Sequence, residues 1–107
     1  MARNYWDIRG HKDQGKMSLI ARYLWAARRA RGFIFDIGCG YGYGTQLLAV
    51  NGTKVRAVDP DVEAITAAKR WNAFRDVIRY DCTAVTKSAD IPAGVDTIVA
   101  LEVIEHL

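Results

Sequence analysis

Four glycines alternate with other residues in Asp36-Ile37-Gly38-Cys39-Gly40-Tyr41-Gly42-Tyr43-Gly44, directly behind the apolar run FIFDI and ahead of a helix-like stretch. Nothing else in the chain restricts its fold as tightly. Glycine lets a backbone take otherwise forbidden angles and approach a ligand closely, at a cost in unfolded-state entropy. A loop that leaves a buried strand and enters a helix also presents free N–H groups to an anion such as a carboxylate. The plainer alternative is a tight strand-to-helix turn that binds nothing. Either way the loop demands a strand before it and a helix after it.

The rest of the chain repeats that alternation. Residues 1–16 read as a polar arm punctuated by Gly10 and Gly15. Residues 17–31 lack Gly and Pro, and Leu19, Ile20, Tyr23, Leu24 and Ala27 fall at helical spacing. Arg28, Arg29 and Arg31 suit the last turn of that helix, with Gly32 as its C-terminal cap. Strands are expected at 33–37, 54–58, 76–80 and 97–101. Helices are expected at 44–52 and 61–74, the latter with Asp59 as cap and Pro60 in its first turn. Nearly continuous apolar strands separated by helical crossovers specify an open parallel α/β sheet of Rossmann-like type, with helices on both faces. The fourth expected strand is as apolar as a central one, yet only six residues follow it. A bare apolar edge invites association. The expectation is therefore a domain over 17–107 cut off after strand four, with self-association through that strand as the alternative.

Composition narrows the classes of function. No apolar run reaches the roughly 20 residues that a membrane-spanning helix needs, and the first residues carry no signal-peptide pattern. A cytoplasmic location and no membrane partner are the expectations. Cys39 and Cys82 have no companions at metal-site spacing, so no zinc site is assigned. Charge is uneven: eight Lys and Arg against two Asp in residues 1–32, seven against ten acidic residues in 33–107. A basic front of that kind suits an anionic partner such as nucleic acid, but equally a solvated helix face.

The glycine spacing is not that of a dinucleotide loop, because Gly38 and Gly40 would need a third glycine where Tyr43 stands. A Walker-type loop is excluded by the absence of Gly-Lys-Ser/Thr. Two further carboxylates are placed where open sheets bind ligands, beyond the carboxyl ends of strands. Asp59 ends the second expected strand and suits a ribose diol, with helix capping as its plainer role. Asp81 follows the third and suits an adenine amine, with a turn carboxylate as its plainer role.

Asp36, Gly38, Gly40 and Gly42 resemble the first motif of class I S-adenosylmethionine-dependent methyltransferases, and VRAVDPD, YDC and VDTIVALEVIEHL resemble the next three in order. The resemblance spans roughly residues 17–107. It implies a sheet of strand order 3-2-1-4-5-7-6, of which this chain would supply the first four strands. It implies S-adenosyl-L-methionine as cofactor. The loop with Asp36, Gly38, Cys39, Gly40 and Gly42 would lie along the methionine part, Asp59 with Pro60 at the ribose, and Asp81 with the Cys82 backbone at the adenine. Leu101 and Glu102 would stand near the sulfonium. Tyr23, on a lead-in helix, is carried over as part of the cover of the cofactor.

The chemistry implied is methyl transfer to a small-molecule acceptor, with nucleic acid a less favoured partner. His106, with an ordinary pKa near 6.5, suits a general base, and a purely structural histidine is the plainer reading. Glu102, Glu105 and His106 resemble a segment of quinone-biosynthesis O-methyltransferases. They also resemble the divalent-metal segment of small-RNA ribose 2′-O-methyltransferases, which needs a further histidine beyond Leu107, so no metal site is assigned. A non-catalytic S-adenosylmethionine-binding module is the alternative outside catalysis.

Overall fold

The structure, a computed structural model, describes residues 12–101, with side chains described from Ser18 onward. Its elements run α1 (Lys12–Ala27), β1 (Gly32–Ile37), α2 (Thr45–Leu48), β2 (Gly52–Asp59), α3 (Val62–Arg70), β3 (Ile78–Cys82), a 3-10 turn (Ser88–Asp90) and β4 (Thr97–Val99). The four strands form one parallel sheet in the order β3-β2-β1-β4, the order expected. The chain steps outward from β1 to β2 to β3 and then returns to place β4 on the other side of β1. The switch point between β1 and β4 opens a crevice at the carboxyl ends of the strands, where open α/β sheets bind ligands.

Several boundaries differ from those expected, each for a local reason. α1 begins at Lys12 and ends at Ala27, so the three arginines lie past its last turn. There Arg29 and Ala30 both donate backbone N–H to the Ala26 carbonyl. Gly32 opens β1 with φ 70° instead of capping the helix. The buried stripe of α1 is Tyr23, Ala26 and Ala27, continued by Ala30, while Ile20 and Leu24 are exposed. Alanines turned inward let the helix sit close to α2, which a stripe of larger side chains would prevent.

α2 is a single turn because Ala49 and Val50 bond back three residues, to Gln46 and Leu47, and Gly52 is already paired to β1. The cap of α3 is Asp61, not Asp59: its Oδ1 accepts from Glu63 N at 3.0 Å and Ala64 N at 3.2 Å. α3 stops at Arg70, and a tight turn follows in which Asn72 donates to the Ile78 carbonyl and accepts from Phe74 N. β3 consequently starts at Ile78 and includes Asp81.

One hydrophobic core lies between the helices and one face of the sheet. Ile34, Val55, Ala57, Ile78, Tyr80 and Val99 from the strands meet Tyr23, Leu48, Ile65 and Ala68 from the helices. Among the described residues the helices pack on this face. The opposite face carries Lys54 over the Phe33 ring, Arg56, Arg79 and Asp81. β4 is a three-residue edge with Ile98 half exposed. Side chains tie it in: Asp96 Oδ2 accepts from Phe33 N at 2.9 Å, and the Thr97 hydroxyl donates to the Arg31 carbonyl at 3.0 Å.

Candidate functional site

β1 delivers the glycine loop to the crevice, and β2 holds it there. Gly38 N and Cys39 N both donate to the Val58 carbonyl, at 2.8 and 3.0 Å, so the loop folds over the end of the neighbouring strand. Gly38, Gly40 and Gly42 all have positive φ. The loop has two distinct sides. A side-chain carbon at Gly40 would meet nothing within 4 Å, whereas at Gly44 it would run into the Tyr23 ring. The loop is therefore packed hard against α1 on one side and open on the other.

Asp59 is the centre of the open side. Its Oδ2 accepts from Gly40 N at 2.9 Å and its Oδ1 from Asp61 N at 2.9 Å. The carboxylate thus fastens the glycine loop to the start of α3. Each oxygen retains further acceptor capacity, since an ionised carboxylate offers about four lone-pair sites. Pro60 follows it, and Cys82, paired level with Asp59 across the β2–β3 ladder, places its sulfur 3.5 Å from the Pro60 carbonyl. Asp61 and Glu63 add negative charge to the same rim. A carboxylate rim of this kind suits a ligand bearing hydroxyls and a cationic centre, and it disfavours a pyrophosphate.

Asp36, expected along the methionine part of a donor, is 0% exposed. Its carboxyl group is wholly buried beneath the loop, where Tyr23 OH donates to it at 3.0 and 3.1 Å and Thr45 Oγ1 at 2.8 Å. Burial raises its pKa to about 7, against the lowering effect of the two hydroxyl donors. Asp36 thus braces α1 and the first residue of α2 from inside. Tyr23 is 1% exposed, so it is part of that brace and not a cover over a ligand. Tyr80 OH is buried close under Gly42 with no hydrogen-bond partner among the described residues. Burial pushes the Cys39 thiol far up and keeps it neutral.

Asp81 lies inside β3, one residue short of the strand end. Its Oδ2 is shared by Arg56 Nε at 3.1 Å and Arg79 Nε at 3.3 Å. That pairing turns the group toward the sheet face away from the helices, and only Oδ1 is left for a ligand. Leu101 follows β4 and packs against the core. Glu102, Glu105, His106 and His11 lie outside the described residues. Among the described residues there is no group of three or more His, Cys, Asp or Glu arranged to hold a metal ion. No helix among them is long and apolar enough to cross a membrane.

The motif reading missed the Tyr23–Asp36–Thr45 brace and the stacking of Tyr41 on Tyr43, 6.4 Å between centroids. The second had a signal, because Tyr41 and Tyr43 are two aromatics separated by a single glycine. The first had none, because its three members come from separate elements.

Known proteins place this geometry. A family profile described as a methyltransferase domain matches residues 35–107. The chain is 39% identical over 67% of its length to a mitochondrial ubiquinone biosynthesis O-methyltransferase from Arabidopsis thaliana, covering 23% of that protein. It is 28% identical over its whole length to the ubiquinone biosynthesis O-methyltransferase of Erwinia tasmaniensis, covering 46% of it. The chain therefore spans less than half the length of these curated relatives. In fold it resembles the magnesium protoporphyrin IX methyltransferase of Synechocystis with bound SAM, with a TM-score of 0.64, 22% identity, and coverage of 100% of this chain and 52% of that one.

Proposed function

This chain belongs to the methyltransferase-domain family, and from that premise we propose that it forms the donor-binding part of an S-adenosylmethionine-dependent O-methyltransferase acting on a small-molecule acceptor. The observation that carries the reading is Asp59, whose two oxygens each take one backbone N–H, from Gly40 and Asp61. That arrangement fixes the carboxylate rigidly and leaves acceptor capacity for both hydroxyls of a ribose. The open side of the loop at Gly40 gives the donor backbone room that any side chain would fill.

When bound, S-adenosylmethionine supplies a methyl group on a positively charged sulfur, open to in-line attack by an acceptor oxygen. The task left to the protein is alignment, which accounts for most of the rate gain when two reactants are held in a near-attack geometry. The reading assigns Gly38, Cys39, Gly40 and Gly42 to the methionine part and Asp59 with Pro60 to the ribose. It assigns the free Oδ1 of Asp81 and the Cys82 backbone to the adenine. Asp36 acts from beneath, by holding Thr45 and Tyr23 so that the loop keeps its shape. The reading puts Leu101, which follows β4, near the sulfonium, and extends that role to Glu102 by its place in the motif. His106 would take the acceptor's hydroxyl proton. The names of the relatives support an acceptor that is a small hydroxylated molecule.

The test is calorimetric titration of the chain with S-adenosylmethionine and S-adenosylhomocysteine, beside Asp59→Ala. Saturable binding of both is expected. The substitution should weaken it more than tenfold, since hydrogen bonds to a charged group contribute about 1.5–3 kcal/mol each. Circular dichroism of the variant confirms that the sheet survives. Absence of binding by the folded wild-type chain refutes the assignment.

A further inference from the structure

A second surface, away from the glycine loop, has a chemistry of its own. Between α3 and the outer edge of β3 lies a groove of about 400 Å³ lined by Lys69, Asn72, Arg75, Arg79, Tyr80 and Asp81. Three of these are cations, and Arg70 follows Lys69 at the end of α3. Residues 69–81 carry four Lys and Arg against Asp76 and Asp81. The acidic rim of the glycine loop has the opposite sign, and the groove borders that site only through Tyr80 and Asp81.

Two large aromatics stand in the same turn. Trp71 is 73% exposed and Phe74 39%, although each has core positions within a few residues. The turn that presents them is rigid: Ala73 N donates to Gln46 Oε1, Phe74 N to Asn72 Oδ1, and Arg75 reaches back to the Arg70 carbonyl. Flat rings held out on a rigid turn beside a row of cations combine the two elements that bind unpaired nucleic acid. One is a basic groove that follows the phosphate backbone, and the other is a ring face on which bases stack.

We propose that the α3–β3 groove binds single-stranded nucleic acid, with Lys69, Arg75 and Arg79 on the phosphates and Trp71 and Phe74 stacked on bases. The cations line a concavity, which favours a strand lying in the groove over a flat anionic membrane. A duplex is disfavoured because its bases are already stacked on one another. None of these five residues is assigned to the methyl donor, and Arg79 touches that site only through its ion pair with Asp81.

The experiment is fluorescence anisotropy of a labelled uridine oligomer of about ten nucleotides, titrated with the 107-residue chain at several salt concentrations. Anionic phospholipid vesicles serve as competitor. Binding should weaken with salt along a log–log slope of about −2, as expected for some three phosphate contacts to a single strand. Arg75→Ala with Arg79→Ala should flatten that slope by about 1.4. Trp71→Ala should lower affinity roughly tenfold with the slope unchanged, as loss of one stacked base does. A charge-matched pair, Arg28→Ala with Arg29→Ala, should change little. The proposal is overturned by any of three results: no binding at low salt, equal losses from the two arginine pairs with Trp71→Ala silent, or vesicles that bind the chain while the oligomer does not.

Discussion

Replacing Asp36 with Asn should remove a pH dependence from the stability of the fold. The Asp36 carboxyl is fully buried, and burial lifts its pKa from 3.8 to about 7. The unfolded chain keeps the ordinary value. Between about pH 4 and pH 7 the native state therefore binds one proton more than the unfolded state, and stability falls as pH rises. Below that window the group is neutral in both states and the native fold carries no penalty. Above it the group is charged in both, and the full penalty applies. A shift of about three units corresponds to about 4 kcal/mol at roughly 1.4 kcal/mol per unit, a large fraction of a typical domain's 5–15 kcal/mol. Asparagine cannot ionise. Its carbonyl can accept from one of the hydroxyls of Tyr23 and Thr45, and its amide can donate to the other. The assay is urea unfolding of both proteins from pH 4.5 to 7.5. With an m-value of about 1–2 kcal/mol/M, the midpoint of the wild type should fall relative to Asp36→Asn by about 2–4 M across the window. The lowered pKa of Asp90, which comes from the Thr86 and Lys87 backbone donors and the Thr86 hydroxyl, acts below the window. A difference that stays flat with pH, or grows in favour of the wild type as pH rises, would refute the account of Asp36 as a buried, strained carboxyl.

Two glycines of the loop should separate folding from binding. Gly44→Ala drives a methyl into the Tyr23 ring and should lower the thermal midpoint sharply, whereas Gly40→Ala meets open space at φ 58° and should cost about 1–2 kcal/mol of strain while weakening S-adenosylmethionine binding in calorimetry. Equal effects of the two on stability would count against the two-sided loop. Asp61→Ala removes both side-chain bonds that cap α3 and should cost about 1 kcal/mol in urea unfolding. A neutral substitution would return the cap to Asp59.

Much of the architecture was legible along the chain because it rests on local physics. Alternating glycines behind FIFDI announced a strand-loop-helix unit, and apolar runs spaced by helical stretches announced a parallel sheet. Asp59 could be placed at a strand end because the run KVRAV stops there. Boundaries were harder, since side-chain hydrogen bonds that an apolar pattern does not encode decide them. Asn72 on the Ile78 carbonyl starts β3 later than its apolar run suggests, and Asp61 takes the cap that proximity to Pro60 had given to Asp59. The face of α1 was misjudged for the same reason: Leu24 and Ala26 are both plausible core residues, and only the closeness of α2 selects the smaller one.

The sequence by itself determined that a glycine loop and the Asp59 carboxylate would meet at the carboxyl end of a parallel sheet, because strand, loop and cap preferences are properties of short segments. Only the tertiary structure decided what each carboxylate does there. Asp36 sits wholly inside with Tyr23 and Thr45, Asp59 stands half-buried with acceptor capacity to spare, and Asp81 is claimed by Arg56 and Arg79. Their residue type is identical and their motifs are equally clear. Burial and partners come from elements far apart in the chain, and those alone set whether a carboxyl is a brace, a ligand group or half of an ion pair.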